Sequence, residues 1–453
     1  MNNLSAGRRD TIFALSSGAL PSGVAVIRLS GPQSRDALRL LIKGKFPVSR
    51  ESSLRKLYHP VDGSVLDEAL VLWFEGPNSF TGEDTVELHC HGGRAVVSAV
   101  LRALSEMEGL RPAEQGEYTR RAFHNGKLDL TEVEGLADLI DAETEAQRRQ
   151  AQRQMSGALG ELYNGWRESL IRSRAFIEAE LDFADEEDVP DSVSDEVWSK
   201  VSTLKADIEA HLSDARRGER LRSGLVVVLL GPPNAGKSSL MNKLARRDVA
   251  IVTPEAGTTR DVLEVHLDLG GYPVTLIDTA GLRENAGLVE REGIKRALAS
   301  AENADLILWT QGLDGISEPL PEHLKDGAAK VWIVKTKADL AAGVDPVKGE
   351  NLPFVYSSTH SDDGMDALLA KLTAFAEENI GNFENPLITR ERYRSHLSLC
   401  VEALDRAIAG AHLPLELRSE ELRMAAEQLG RITGRIDVED LLDVIFRDFC
   451  IGK

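Results

Sequence analysis

The stretch GPPNAGKSS, residues 231–239, constrains what this 453-residue chain can fold into more than any other. It fits the pattern G-x-x-x-x-G-K-[ST], directly after an apolar run at 225–230 and directly before a helical pattern. That order demands a buried strand, a tight loop and a helix whose first N–H groups face a phosphate. Gly231, Asn234, Ala235, Gly236, Lys237, Ser238 and Ser239 are the candidate phosphate-contacting set, with Lys237 reaching the β and γ oxygens and Ser238 offering a hydroxyl to Mg²⁺. Short apolar runs follow at 274–277, 306–310, 331–334 and 354–357, as expected for parallel strands buried on both faces. The run LEVHLDL at 263–269 alternates instead and reads as a half-exposed edge strand.

Four further signals lie downstream in order. DTAG (278–281) closes the third strand of the unit. Asp278 is placed to hold Mg²⁺ through water, Thr279 and Ala280 are further candidate nucleotide contacts, and the Gly281 N–H is placed to sense a γ-phosphate. GTTRD (257–261) supplies a metal hydroxyl from Thr259. In TKAD (336–339), Thr336 and Lys337 lead to Asp339, whose carboxylate accepts two hydrogen bonds from the N1 and N2 groups of guanine; adenine has no such donor pair. Ser357 and Ser358 of SST sit where a backbone N–H meets the guanine O6. These residues imply a domain that binds and hydrolyses GTP. Two features depart from the common pattern. Thr336 replaces the usual Asn, so an amide that would brace the phosphate loop is expected to be lost. Leu282 follows DTAG and is unable to polarise water, so hydrolysis needs another residue or a partner; on chemistry alone Glu284, Glu290 and Glu292 stand level.

Before this unit lie two other textures. Residues 1 to about 125 mix short apolar runs with Gly and Pro, the pattern of a small α/β domain, and residues 128 to about 222 are helical, with Val197, Val201, Leu204, Ile208 and Leu212 forming one stripe. The acidic stretch DFADEEDVPDS at 182–192 reads as a loop. After about residue 385 the helical texture returns, so the nucleotide unit is inserted into a helical domain and the C-terminus is expected near the N-terminal region. The charge of −20 opposes unspecific binding to a phosphate backbone, so an RNA partner needs a basic patch or a second protein to hold it. The local candidates are RRQAQRQ (148–154) and ARRGERLR (215–222). Cys90, Cys400 and Cys450 are too scattered for a disulfide framework and are expected as reduced thiols, with Cys400 packed in a helix. No membrane-length apolar run or signal peptide is read, which predicts a cytoplasmic protein. HCH (89–91) lacks a third ligand cluster at metal spacing and reads as structural. The terminal CIGK fits a prenylation box poorly.

The ordered set GVAVIRLSG, SFTGEDTVELHCHGG, GEYTRRAFHNGKLDLTEVEGLADLIDAET, GPPNAGKSSLMN, GTTRD, DTAGLRE and the terminal CIGK resembles the MnmE/TrmE family of tRNA modification GTPases over essentially the whole chain. The resemblance implies α/β plus α architecture: an N-terminal tetrahydrofolate-binding and dimerisation domain (1–125), a helical domain in two segments (126–222 and 385–453) and an inserted Ras-like G domain (223–384). It implies that Asn234, Thr253, Glu255 and Thr258 hold a K⁺ ion where other GTPases use an arginine finger, that Ser238 and Thr259 ligate Mg²⁺, and that Glu290 orients the attacking water. It implies that Arg28, Glu87, Lys127 and Lys453 bind a 5,10-methylene- or 5-formyl-tetrahydrofolate, with Cys450 beside it as nucleophile or acid/base group. The implied partners are a second copy of the chain and the FAD protein MnmG (GidA), in a heterotetramer that acts on the wobble uridine of certain tRNAs. The competing reading is a ribosome-assembly or RNA-chaperone GTPase, and a third is a GTP-binding scaffold without turnover. The segment LSSGALPSG (15–23) departs from the Gly-rich loop with a basic residue usual in the family.

Overall fold

A computed structural model describes residues 10–182, 193–251, 263–278, 304–313, 320–325, 327, 329–340, 354–358, 364–381, 387–436, 442, 445–446, 449 and 452. The chain forms two compact units, Met1–Ala137 with Gly430–Lys453, and Asp138–Leu429.

The first unit is built on six strands, β1 (Thr11–Leu15), β2 (Ser22–Ser30), β3 (Ser53–Tyr58), β4 (Val65–Phe74), β5 (Thr85–Gly92) and β6 (Leu110–Pro112), in the order β3-β4-β5-β2-β1-β6. All neighbours are antiparallel except β1 and β6. Alternation along β2 turns Ala25, Ile27 and Leu29 into the core and Arg28 to the other face. Helices α1 (Ser34–Leu41) and α2 (Arg94–Ser105) cover the apolar face, where Leu38, Leu41, Val97 and Val100 pack with Ile27, Leu88 and Trp73. Helices α3 (Glu117–His124) and α4 (Leu130–Asp141) follow. The C-terminal segment returns here: Leu442, Phe446 and Phe449 cluster with Leu130 and Val133, and the Leu130 N–H donates to the Thr433 carbonyl at 3.2 Å. Gly452, at φ +102°, lies so close to the end of β1 that a Cβ would stand 2.3 Å from the Leu15 carbonyl oxygen.

The second unit holds six more strands, β7 (Leu225–Leu230), β8 (Leu263–Leu269), β9 (Tyr272–Asp278), β10 (Leu306–Gly312), β11 (Lys330–Thr336) and β12 (Phe354–Tyr356), in the order β12-β11-β10-β7-β9-β8. All pairings are parallel except the edge strand β8, which runs antiparallel to β9. The alternating pattern of β8 thus falls at the sheet edge and the continuous apolar runs fall inside. One face packs Leu229, Leu276 and Leu308 against α9 (Lys237–Ala245) and a later helix at 365–380. The other buries Val228, Ile307 and Trp309 against Leu320 and Leu324 of the segment carrying α10 (Glu322–Lys325). Two covered faces make a doubly wound sheet.

Around it stand α5 (Glu145–Met155), α6 (Ala158–Asp182), α7 (Val193–Ser213), α8 (Ala215–Ser223), α11 (Met365–Ile380), α12 (Glu391–Ala409) and α13 (Leu415–Ile432). The stripe read from α7 is inward: Val197, Val201, Leu204 and Ile208 are buried and Leu212 half-buried. The acidic stretch lies outside the described residues from 183 to 192. Cys400 is fully buried on α12, and burial pushes its thiol up to about 12. A buried polar chain ties the helices together. The Gln154 amide donates to the Tyr393 hydroxyl at 3.1 Å, Thr389 donates to Gln154 at 3.0 Å, and the Tyr163 hydroxyl meets His211 Nε2 at 3.1 Å.

One carboxylate gathers both chain crossings of the sheet domain. Asp138 Oδ1 accepts from Arg222 Nε and from an Arg390 guanidinium nitrogen, each at 2.8 Å, and Asp138 is only 13% exposed. Arg222 stands three residues before β7 and Arg390 ten residues after α11.

Two predictions follow from these contacts. Asp138→Ala removes the shared acceptor of two charge-assisted hydrogen bonds, a loss of about 2–3 kcal/mol of unfolding free energy. Limited trypsin digestion at Arg222 should therefore quicken, and an unchanged cleavage rate would refute the clamp. Burial pushes the His211 imidazole down to about 4 from 6.5, partly offset by Asp214. Between those values the unfolded chain binds a proton that the folded one refuses, so stability falls as pH drops from 6.5 towards 4, by up to about 1.4 kcal/mol per pH unit. Denaturant titrations of wild type and His211→Gln across this window should differ in slope; parallel curves would refute it.

Candidate functional site

The phosphate loop hangs between β7 and α9. Gly231, at φ +145°, passes so near the next strand that a Cβ would lie 2.3 Å from the Thr310 carbonyl oxygen, and Asn234 takes a left-handed conformation at φ +61°. These turns aim successive N–H groups at the mouth of the loop and cap α9 with Gly236 in the left-handed region. The Lys237 amine is held there by the Gly231 and Pro232 carbonyls, both at 2.8 Å, in a buried position suited to phosphoryl oxygens. The Ser238 hydroxyl donates to Asp278 Oδ2 at 2.6 Å. The Asp278 carboxylate is fully buried at the end of β9, and its residue pairs with Leu229 of β7. A hydroxyl and a carboxylate at this spacing are hard oxygen donors suited to Mg²⁺ beside a phosphate.

The residues expected to read the base meet at the ends of β11 and β12. The Ser358 hydroxyl donates to Asp339 Oδ1 at 2.5 Å, and the Ser357 carbonyl accepts from the Ala338 N–H at 3.2 Å. Lys337, at φ +58°, makes the turn between them. The expected loss of a brace at position 336 is corrected here. The Thr336 hydroxyl, 2% exposed at the end of β11, stands 2.5 Å from the Ala235 carbonyl and 3.2 Å from that of Gln311, so a hydroxyl restrains the loop where an amide was expected.

On the open face of the first unit, Arg28 of β2 stands directly across from Glu87 of β5. Its Nε is 3.0 Å from Glu87 Oε1, with both side chains about one-fifth exposed. The guanidinium lies 5.8 Å from the Phe80 ring and 5.7 Å from that of Tyr118. His89 Nε2 meets the other Glu87 oxygen at 3.2 Å, and the Tyr118 hydroxyl donates to the Arg28 carbonyl at 2.7 Å. Exposed Lys127 runs its stem past Gly82, and its N–H donates to the Ala122 carbonyl. An ion pair beside two aromatic rings, with a nearby lysine stem, suits a flat, acidic ligand. Sequence reasoning did not find Phe80, Tyr118 or His89; the spacing of Glu87 and His89 on one strand face was the available signal for the last.

Within HCH, Cys90 is turned into the core with its thiol pushed up to about 12 by burial and by Asp67, and His91 Nδ1 meets Asp67 at 2.8 Å. Among the described residues no cluster of three or more His, Cys, Asp or Glu is placed to hold a metal ion. Thr253, Glu255, Thr258, Thr259, Thr279, Ala280, Gly281, Leu282, Glu284, Glu290, Glu292, Cys450 and Lys453 lie outside the described residues. Among those described, no helix is long and apolar enough to cross a membrane.

A family model described as the MnmE helical domain matches residues 130–450, and one described as GTP-binding protein TrmE N-terminus matches residues 11–127. The tRNA modification GTPase MnmE of Brucella anthropi is 53% identical over 448 residues, covering 99% of each chain. That of Parvibaculum lavamentivorans is 55% identical over 453 residues, covering 98% of this chain and 100% of its own. The solved G domain of the T. maritima FeoB iron transporter is 26% identical, covering 34% of this chain and 98% of its own, at a TM-score of 0.26.

The Ser238–Asp278 pair makes a specific prediction. Ser238→Ala should raise the Mg²⁺ concentration needed to tighten guanine nucleoside triphosphate binding by about 10- to 100-fold, with Mg²⁺-free GDP binding little changed. Equal Mg²⁺ dependence in the two proteins would refute the pair's role.

Proposed function

Because the chain belongs to the MnmE/TrmE family of tRNA modification GTPases, we propose that its GTP hydrolysis is potassium-dependent and serves wobble-uridine modification with an FAD-dependent partner and a folate-carried carbon. The observation that carries the reading is the conjunction, in one sheet domain, of Lys237 at the phosphate loop, Ser238 on Asp278, and Ser358 on Asp339. The first holds phosphates, the second a divalent cation, the third a guanine edge.

In this reading Ser238 and Thr259 would ligate Mg²⁺, which would supply charge neutralisation beside the β and γ oxygens, and Asn234, Thr253, Glu255 and Thr258 would hold K⁺. Glu290 orients the water, since Leu282 cannot. The folate lies against Arg28, Glu87, Lys127 and Lys453, and Cys450 supplies a nucleophile or acid/base group. The position of Gly452 beside Leu15 supports this placement, because β1 pairs with β2 at Leu15 and Ile27, one residue from Arg28. We divide the chain functionally as 1–125, 126–222 with 385–453, and 223–384, and place it in the cytoplasm as a homodimer that joins MnmG (GidA). Full-length identity to tRNA modification GTPases favours this over a ribosome-assembly factor.

The test is GTP turnover in KCl against NaCl, with Glu290→Ala alongside. Potassium should accelerate turnover at least about tenfold, and the substitution should lower it about 10²-fold or more while GDP still binds. Turnover indifferent to the cation would overturn the potassium assignment, and turnover that survives loss of Glu290 would overturn its role. Wobble-uridine analysis with the partner and methylene-folate added then tests the coupled reaction, which Arg28→Ala should abolish without slowing GTP hydrolysis.

A further inference from the structure

Position 336 is where this chain leaves the common base-recognition pattern, and the bonds made there fix what the substitution does. The residue before the turn to Asp339 stands against the phosphate loop, three positions before the carboxylate read as the base-binding group. An amide carries two N–H protons and a carbonyl; a hydroxyl carries a single proton. In this chain that proton has nearby carbonyl acceptors at 2.5 Å (Ala235) and 3.2 Å (Gln311), and the shorter contact takes it. Ala235 is itself buried inside the phosphate loop, and a Cβ on Gly236 would stand 3.4 Å from the Thr336 side chain, so the two segments run close together. The branched Cβ stiffens the side chain and holds the hydroxyl on its target.

We propose that Thr336 is a positioning residue: it fastens the phosphate loop through the Ala235 carbonyl and, with its one proton committed there, donates nothing to N7 of the guanine. Asp339, supported by Ser358, then carries base discrimination on the N1–N2 edge alone. The N7 acceptor lies on the imidazole ring, away from the N1–N2 edge that Asp339 reads in this proposal, and Thr336 has no second proton to offer it. Replacing N7 by a C–H group therefore removes nothing that this side chain supplies.

The inference rests on the guanine-nucleotide reading of the site, which selectivity for GDP over ADP checks separately in the same titrations. Competition of GDP, 7-deaza-GDP and ADP against a fluorescent GDP analogue is measured on the full chain as wild type, Thr336→Ser, Thr336→Val and Thr336→Asn. Wild type should bind GDP and 7-deaza-GDP within about twofold of each other. Thr336→Val, which keeps shape and loses the proton, should weaken both about five- to tenfold, and Thr336→Ser should restore both. Thr336→Asn, with a second donor to offer, should gain about fivefold preference for GDP over its 7-deaza analogue. A merely structural role moves both nucleotides together and creates no such preference. A tenfold or larger penalty for 7-deaza-GDP in wild type would overturn the inference, as would a Thr336→Val protein that binds like wild type. Loss of GDP-over-ADP selectivity in wild type would instead overturn the guanine reading beneath it.

Discussion

The architecture depends on closing two insertions, one nested in the other. The chain leaves the first unit at Ala137 and returns to it at Gly430, and within the second unit it leaves the helices after α8 and returns before α12. An insertion is tolerable only where departure and return are held together, because the loop-closure entropy otherwise opposes the host core. Leu130, Val133 and the Leu130–Thr433 hydrogen bond close the first insertion. Asp138, holding Arg222 and Arg390 on one oxygen, closes the second.

The same economy appears in β9. At its C-terminal end Asp278 receives the Ser238 hydroxyl; at its N-terminal turn the Gly271 carbonyl accepts from the Ala146 N–H in the first turn of α5. Seven extended residues separate these ends by roughly 23 Å at about 3.3 Å per residue. The β8–β9 ladder stiffens that span along its whole length. A strand at the metal-side carboxylate and at a helix N-terminus joins the nucleotide site to the helices by covalent bonds and sheet hydrogen bonds alone.

What could be read from the sequence follows from how local each signal is. Buried parallel strands give continuous apolar runs, so β7, β10 and β11 were legible to within two residues at each end, and the alternation of β8 identified an edge. The phosphate loop was legible because its glycines, lysine and hydroxyl are consecutive. Pairings between distant residues leave no periodic trace. The Asp138 clamp spans 84 and 252 residues. The same holds for the charged network at α3, where Arg111 and Arg121 pair with Glu117 and Arg121 also meets Glu83: burial raises the Glu117 carboxyl, but hydrogen bonds from Arg111, the Glu114 N–H and Arg121 outweigh it and hold it below the ordinary value. Resemblance supplied Arg28 and Glu87; their mutual ion pair and the flanking rings came only with the fold. Position 336 shows the opposite failure, since a missing amide was legible and the replacement contact was not.

The two basic stretches weighed as nucleic-acid footprints prove to be unlike in kind. In 215–222 two of the cations are structural: Arg220 meets Asp305 at 2.7 Å and Arg222 meets Asp138, with Asp305 also accepting from the Val226 N–H at the start of β7, while Arg217 makes only an exposed pair with Asp214. Those two, held against mostly buried carboxylates, would leave unpaired acids behind if they turned to a phosphate backbone. In 148–154 the position differs. Arg148 and Arg149 are 54% and 65% exposed and share the single carboxylate of Glu145. Exposed pairs of this sort are weak and screened by salt, too little to hold either arginine from a polyanion. For a chain of net charge −20, that contrast makes the second stretch part of the fold, while the first retains cations on an exposed helix face.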